Sequence, residues 1–271
     1  MNDTLIYEVD GPIAVLTLNR PDKLNAINTS MLQAINKAMD EAEDNSNVRA
    51  IVLKGAGKSF SAGFDLNDEV WDTEEDSEMR AALEDDFNTI MRFWDSTKPT
   101  IAVVQGHCVG GAMEMALACD VTIAAENAMF GEPEVSIASG IVAMLLPWLT
   151  GPKLAKELLL TGRINIPSQR IYEMGLINQV VKESELDKAG LEMAETIASN
   201  DRLCVEITKR AINRTLEIGG MREALLDALE ADVLYETADN DEAKAFYKVL
   251  KDKGLKAAKE WRKEFINKTS S

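Results

Sequence analysis

Four short apolar runs, rich in β-branched residues, punctuate the first half of the chain: IAVLTLN (13–19), AIVLKG (50–55), TIAVVQG (100–106) and VTIAA (121–125). Each ends in polar or glycine positions, the pattern of a buried strand running into a turn. Between the first two runs, Met31, Ile35, Ala38, Met39 and Ala42 recur at helical spacing and predict an amphipathic helix over 30–45. Strands alternating with helices predict an α/β fold with largely parallel pairing. Beyond about residue 200 the strand signal stops. The segments 203–216, 221–238 and 241–265 are amphipathic and helical, with few breakers. The expected organisation is an α/β core over 1–200 and a helical region over 201–271, without internal repeats.

One predicted helix breaks the apolar rule. In GHCVGGAMEMALACD (106–120), Glu114 stands among Ala112, Met113, Met115, Ala116, Leu117 and Ala118, one turn after Gly110 and Gly111. A helix start offers unpaired backbone N–H groups and a positive dipole end. Glycine lets a ligand approach that backbone closely. Gly111 and Glu114 are three residues apart and share a helix face, so a carbonyl oxygen at the Gly111 N–H has Glu114 nearby.

A second glycine turn, KSFSAGFDL (58–66), also follows a strand. Two such turns can supply two converging N–H donors, the geometry that stabilises an oxyanion. Asp65 reads there as a turn residue. A third turn, MFGEPEV (129–135), sets Glu132 and Glu134 either side of Pro133 and offers a carboxylate to work with Glu114, one holding water and the other delivering a proton.

Composition removes alternatives. The net charge of −17 argues against nucleic acid and anionic membranes as partners. No apolar run reaches the roughly 20 residues of a membrane span. The amino terminus lacks the basic-then-apolar order of a leader. Three cysteines without a CxxC pair predict reduced thiols and a cytoplasmic location. The single histidine, His107, makes a multi-histidine metal site impossible, and no metal is expected. Its place after a strand reads as packing. A hydrolase built on Ser61, His107 and Asp65 or Asp120 lacks a nucleophile turn. Residues 68–86 carry ten acids in nineteen, read as a solvated loop and helix start or, more sharply, as a lid. Lys248, Lys251, Lys253, Lys256, Lys259, Arg262 and Lys263 make the last helix basic.

Five segments together resemble the crotonase (enoyl-CoA hydratase/isomerase) superfamily: LNRPDKLNAI (18–27), GKSFSAGFDL (57–66), KPTIAVVQGHCVGGAMEMALACD (98–120), FGEPEV (130–135), and GPKLAKELLLTGR (151–163) with GLINQVV (175–181). The likeness runs from about residue 5 to 265. It implies a crotonase-like spiral of ββα units whose helical carboxyl-terminal region packs trimers, which often pair into hexamers. It implies an acyl-CoA thioester as ligand, with coenzyme A part of the substrate and no separate cofactor. By position, the oxyanion donors are the N–H groups of Phe64 and Gly111, and the catalytic acids are Glu114 and Glu134. Lys23, Leu24, Ala26, Ala62, Asp65, Leu66 and Gly110 match positions that bind substrate or coenzyme A. Arg20, Lys23 and a neighbour's basic helix are candidates for its phosphates. The chain departs from the family at 135–152, where a glycine-rich turn is replaced by Ser139–Met144 and Pro147-Trp148. Ile141, Met144 and Trp148 are expected to wall the acyl pocket there and to favour a branched or cyclic acyl group. The implied activity is hydration of a 2-enoyl-CoA. Its rivals are double-bond migration through Glu134 alone and a non-catalytic CoA-ester-binding scaffold.

Overall fold

A computed structural model describes residues 4–73 and 75–269. Residues 1–3, part of the stretch read for a leader, and Glu74 of the acidic run lie outside them. The strands are β1 (Leu5–Asp10), β2 (Ile13–Leu18), β3 (Ala50–Gly55), β4 (Thr100–Val104), β5 (His107–Val109), β6 (Val121–Ala125), β7 (Met129–Gly131), β8 (Ile166–Pro167) and β9 (Gln179–Val181). The helices are α1 (Thr29–Asp44), α2 (Asp76–Asp95), α3 (Gly111–Ala118), α4 (Glu134–Ile137), α5 (Leu146–Thr150), α6 (Pro152–Thr161), α7 (Ser168–Glu173), α8 (Leu186–Ala198), α9 (Arg202–Ile218), α10 (Met221–Glu236), α11 (Asp241–Lys253) and α12 (Leu255–Thr269).

The large sheet runs β1-β2-β3-β4-β6-β9, parallel throughout except for the β1–β2 hairpin. A smaller sheet, β5-β7-β8, lies beside it. The chain repeats one turn: a strand in the large sheet, a short strand in the small one, then a helix. β4–β5–α3 and β6–β7–α4 are two such turns. The turn after β3 reaches the small sheet only by a bridge between Ser61 and Cys108. All five residues of β4 are buried, and all but Lys54 of β3, because helices cover both faces of a parallel sheet. Alternating strands with helices therefore put the carboxyl ends of β3, β4 and β6, where the glycine turns begin, along one edge.

α1 starts where Asn28 accepts the Met31 N–H on its side chain, and it buries Met31, Ile35, Ala38, Met39 and Ala42 against the sheet. From Arg202 onward the described chain is helical. The single stretch expected over 241–265 is two helices. Gly254, at φ +81°, turns the chain between α11 and α12. α11 and α12 fold back on this chain's own core through Phe246, Ala258, Ile137 and Ala138.

Candidate active site

Two backbone segments meet where β3 and β4 end. Ile27 N–H donates to Gly63 and Asp65 N–H to Ile27, fixing residues 63–65 as a short bridge. Asn25, wholly buried, ties this loop down: its amide donates to the carbonyls of Ala56, Ser59 and Phe60, and its oxygen accepts the Arg20 N–H. Leu24 and Asn25 both hold positive φ, at 51° and 54°, which these bonds sustain. On the other side Gly110 N–H donates to Gly131, and α3 begins at Gly111. Among the described residues, neither the Phe64 N–H nor the Gly111 N–H donates to a protein acceptor.

The paired glycines have separate jobs. A Cβ on Gly111 would overlap the Phe64 ring. A Cβ on Gly110, which sits at φ +60°, would stand 2.5 Å from Glu134 Oε1. One glycine lets the two N–H loops approach each other. The other makes room for a carboxyl above the helix start.

Glu114 is 3% exposed, Glu132 0% and Glu134 9%, and one carboxyl oxygen from each lies within 4.8 Å of the others. Glu114 Oε2 accepts the Ala143 N–H at 2.6 Å, so the segment after α4 anchors this carboxyl. No lysine, arginine or histidine forms an ion pair with any of the three among the described residues. Burial, and then the charge of Glu134, pushes Glu114 well above the usual carboxylate range. Glu132 moves the same way through burial and both neighbouring carboxyls. Glu134 is pushed up to about 7, chiefly by burial. Behind Gly140, Asp232 also rises to about 7 through burial and then Glu236. Its Oδ1 occupies the space a Cβ on Gly140 would need.

One cavity of about 700 Å³ passes this cluster. Leu24, Ala62, Phe64, Leu66, Gly110, Glu114 and Glu134, all expected from the sequence, line it. Gly111 lies beneath the Phe64 ring at its edge. Ile141 and Met144 instead close a small inner pocket with Glu114 and Glu132, and Trp148 packs beside Gly219. Lys23 is exposed at the end of a short 3₁₀ turn. Asp65 binds Arg20 at 2.9 Å, and the same guanidinium donates to Ala26 O, so these three residues brace the loop from outside the cavity.

Three features add to the sequence reading. His107, expected to pack, is exposed and lines the cavity. The acidic stretch is more than a solvated loop: Trp71, Thr73, Met79 and Leu83 wall the cavity. The basic groups on its rim, Lys244, Lys248, Lys251 and Lys259, come from α11 and α12 of this same chain. Ser61 is no nucleophile, since its hydroxyl donates to Asn25 O in the interior. The sequence also left unseen Asn25 as the loop's tie and Ala143 as the anchor of Glu114. The three glutamates are the group able to hold a metal among the described residues. Hard divalent cations want about six oxygen ligands, and the inner pocket's other side chains, Leu117, Ile141, Met144, Leu145 and Leu146 among them, bring none.

The chain is matched over residues 8–268 by the family described as enoyl-CoA hydratase/isomerase. It is 35% identical to the short-chain-enoyl-CoA hydratase of Clostridium acetobutylicum, over 94% of this chain and 98% of that one. It is 34% identical to the crotonyl-CoA hydratase of Syntrophomonas wolfei, over 89% and 93%. The crystal structure of an enoyl-CoA hydratase/isomerase from Xanthobacter autotrophicus Py2 superposes with a TM-score of 0.93 at 46% identity, over 97% of this chain and 98% of that one.

Proposed function

The chain belongs to the enoyl-CoA hydratase/isomerase family, and we propose from its site that it adds water across the 2,3 double bond of an acyl-CoA thioester. The observation that carries the reading is the placement of two buried carboxyls, Glu114 and Glu134, on one cavity beside two backbone N–H groups without protein acceptors.

The thioester oxygen accepts from the N–H groups of Phe64 and Gly111. This polarises the conjugated system and stabilises the enolate that forms as water attacks C3; one such donor typically contributes about 3–4 kcal/mol. Glu114, oriented by the Ala143 N–H, and Glu134 share the positioning and activation of the water, whose proton passes to this coupled pair. Glu134, pushed up to about 7, supplies an acid near neutrality and gives its proton to C2. The proton gained from water and the proton lost to C2 balance over a turnover. Lys244, Lys248, Lys251 and Lys259 supply the local positive charge that a phosphate-bearing ligand needs against an acidic body.

The test is a panel of 2-enoyl-CoA thioesters, followed by loss of enone absorbance. It includes branched and ring-bearing acyl groups, because Met79, Leu83, Ile137 and Val142 form an apolar wall that selects by shape. Glu114→Gln and Glu134→Gln each lower kcat by about 10²–10⁴ with KM retained. Hydration that survives Glu114→Gln, or double-bond migration alone, transfers the protein to the isomerase class. Thioester binding without turnover makes it a scaffold.

Assembly into trimers or hexamers is part of the same proposal. Leu203, Ile207 and Ile212 of α9 and Leu234 of α10 are 47–69% exposed, an apolar surface suited to a second copy. Sedimentation that gives a monomer mass rejects it. Three unpaired thiols support a reducing cytoplasm, which cell fractionation checks.

A further inference from the structure

Glu132 has no role in the reaction just described. It is wholly buried, and neither carboxyl oxygen has a hydrogen-bond partner if all three glutamates are ionised. It does not line the substrate cavity. It closes the small inner pocket, whose other side chains apart from Glu114 are apolar. Glu134 Oε2 is likewise buried and unpartnered. An isolated charge in such a place is costly, and no cation among the described residues pairs with it. Two facing carboxyls without partners are both satisfied if one carries a proton and donates it to the other.

We propose that Glu132 is a positioning residue: it stays a neutral carboxylic acid and donates its O–H to the Glu134 carboxyl from the side away from the substrate. The inference rests on the hydratase reading and deepens it. When Glu134 gives its proton to C2 it becomes a carboxylate, and a hydrogen bond to it strengthens as that charge forms. The interaction is therefore stronger in the transition state than in the ground state, which is what raises kcat. No bond in the substrate is made or broken by Glu132, and its proton stays with it through the cycle.

The titratable groups around Glu132 are all of one sign or neutral. α3 presents Glu114, β5 presents Cys108, and α4 presents Glu134. Further out, Asp232 of α10 acts on Glu114 and Glu134, and Asp86 of α2 acts on Glu114. Burial and these neighbours both hold Glu132 protonated, and its hydrogen bond acts to lower Glu134 against the burial that raises it.

Glu132→Leu and Glu132→Gln separate the possibilities. Leucine removes the donor but suits the apolar pocket, so melting temperature holds or rises. Its kcat falls about tenfold or more with KM unchanged. The alkaline limb of its kcat profile moves up, because Glu134 keeps its proton to higher pH. Glutamine restores an N–H donor, keeps kcat within about threefold, and leaves the limb in place. If both variants move the limb down by the same amount, Glu132 is an anion and the proposal is wrong. If Glu132→Leu matches the wild type in kcat and limb, it is also wrong. Infrared difference spectroscopy of wild type against Glu132→Gln at neutral pH gives a readout independent of turnover: the carbonyl stretch of a protonated acid is lost in the variant, and no difference overturns the proposal. A wild type that hydrates no thioester while showing that band defeats the hydratase reading and leaves Glu132 as assigned.

Discussion

Two buried polar clusters lie in this protein, and they are built on opposite terms. Lys98, Lys209 and Asp120 form the first. Lys98, 1% exposed, donates its ammonium to the carbonyls of Ala42 and Asn45. Lys209 donates to the carbonyls of Phe93 and Lys98 and pairs with Asp120 at 2.8 Å, while Asp120 accepts from Thr100 N–H and Oγ1. Every charge there has its counter-charge or its dipoles. The second cluster, Glu114, Glu132 and Glu134, has three like groups, no ion-pair partner among the described residues, and backbone donors at Ala143 and at Glu134 itself. A satisfied network rigidifies a fold, whereas an unsatisfied one stores protons and shifts its titration into the working range. The first cluster fastens α9 to the sheet region, and the second is where the proposed chemistry takes place.

The sharpest way to break this contrast is Gly110→Ala. The added methyl carbon meets Glu134 Oε1 at 2.5 Å, on a backbone with φ +60° that alanine resists. We expect kcat to fall about a hundredfold, the scale of a misplaced acid–base group, with thioester affinity largely kept. A variant that turns over at the wild-type rate removes Gly110 from the account of how Glu134 is held.

Lys209→Met acts on the other cluster. It leaves Asp120 without its ion-pair partner and takes one donor each from the Phe93 and Lys98 carbonyls, which keep the hydroxyls of Thr100 and Ser96. Asp120 is a fifth exposed, at 21%, so the cost stays below that of a fully buried pair. About 2–3 kcal/mol of stability is expected to be lost in urea denaturation, with KM and the pH profile unchanged. A changed pH profile would mean the two clusters communicate.

The smallest effect is on stability against pH. Glu134 and Asp232 both stand near 7 in the folded chain, above the ordinary carboxylate range. A folded state that binds more protons than the unfolded one loses stability as pH rises through that window. The melting temperature is therefore expected to drop between about pH 5 and about pH 8. Asp65, held low by Arg20 despite its burial, acts oppositely but only at more acid pH. A melting temperature that is flat or climbs across the window would show that the inner carboxyls are ionised and paired.

Much of this was legible in the chain. The four strands, α1 and the placement of glycine turns at strand ends follow from local periodicity, because a strand's neighbours in sequence decide which of its faces are apolar. Glu114 stood out for the same reason, one polar residue on a helix otherwise without a polar face. Gly254 was less legible, since a lone glycine inside a helical pattern does not announce a turn until packing asks for one.

What the sequence by itself determined is the set of chemical groups and their local order: two glycine turns, a carboxylate three residues after one of them, and two more around Pro133. Tertiary structure decided which of these face a ligand and which face each other. Glu132 and Glu134 are two residues apart, yet one closes an inner pocket and the other lines the cavity, because the turn from β7 into α4 sends them different ways. Arg20, a basic residue matched to a phosphate site, is held by Asp65 forty-five positions later. The basic rim comes from helices more than 170 residues beyond Leu66, brought back over this chain's own site by the packing of Phe246 and Ala258. Protonation follows from that burial, since the dielectric around a carboxyl is set by everything packed against it and not by its neighbours in the chain.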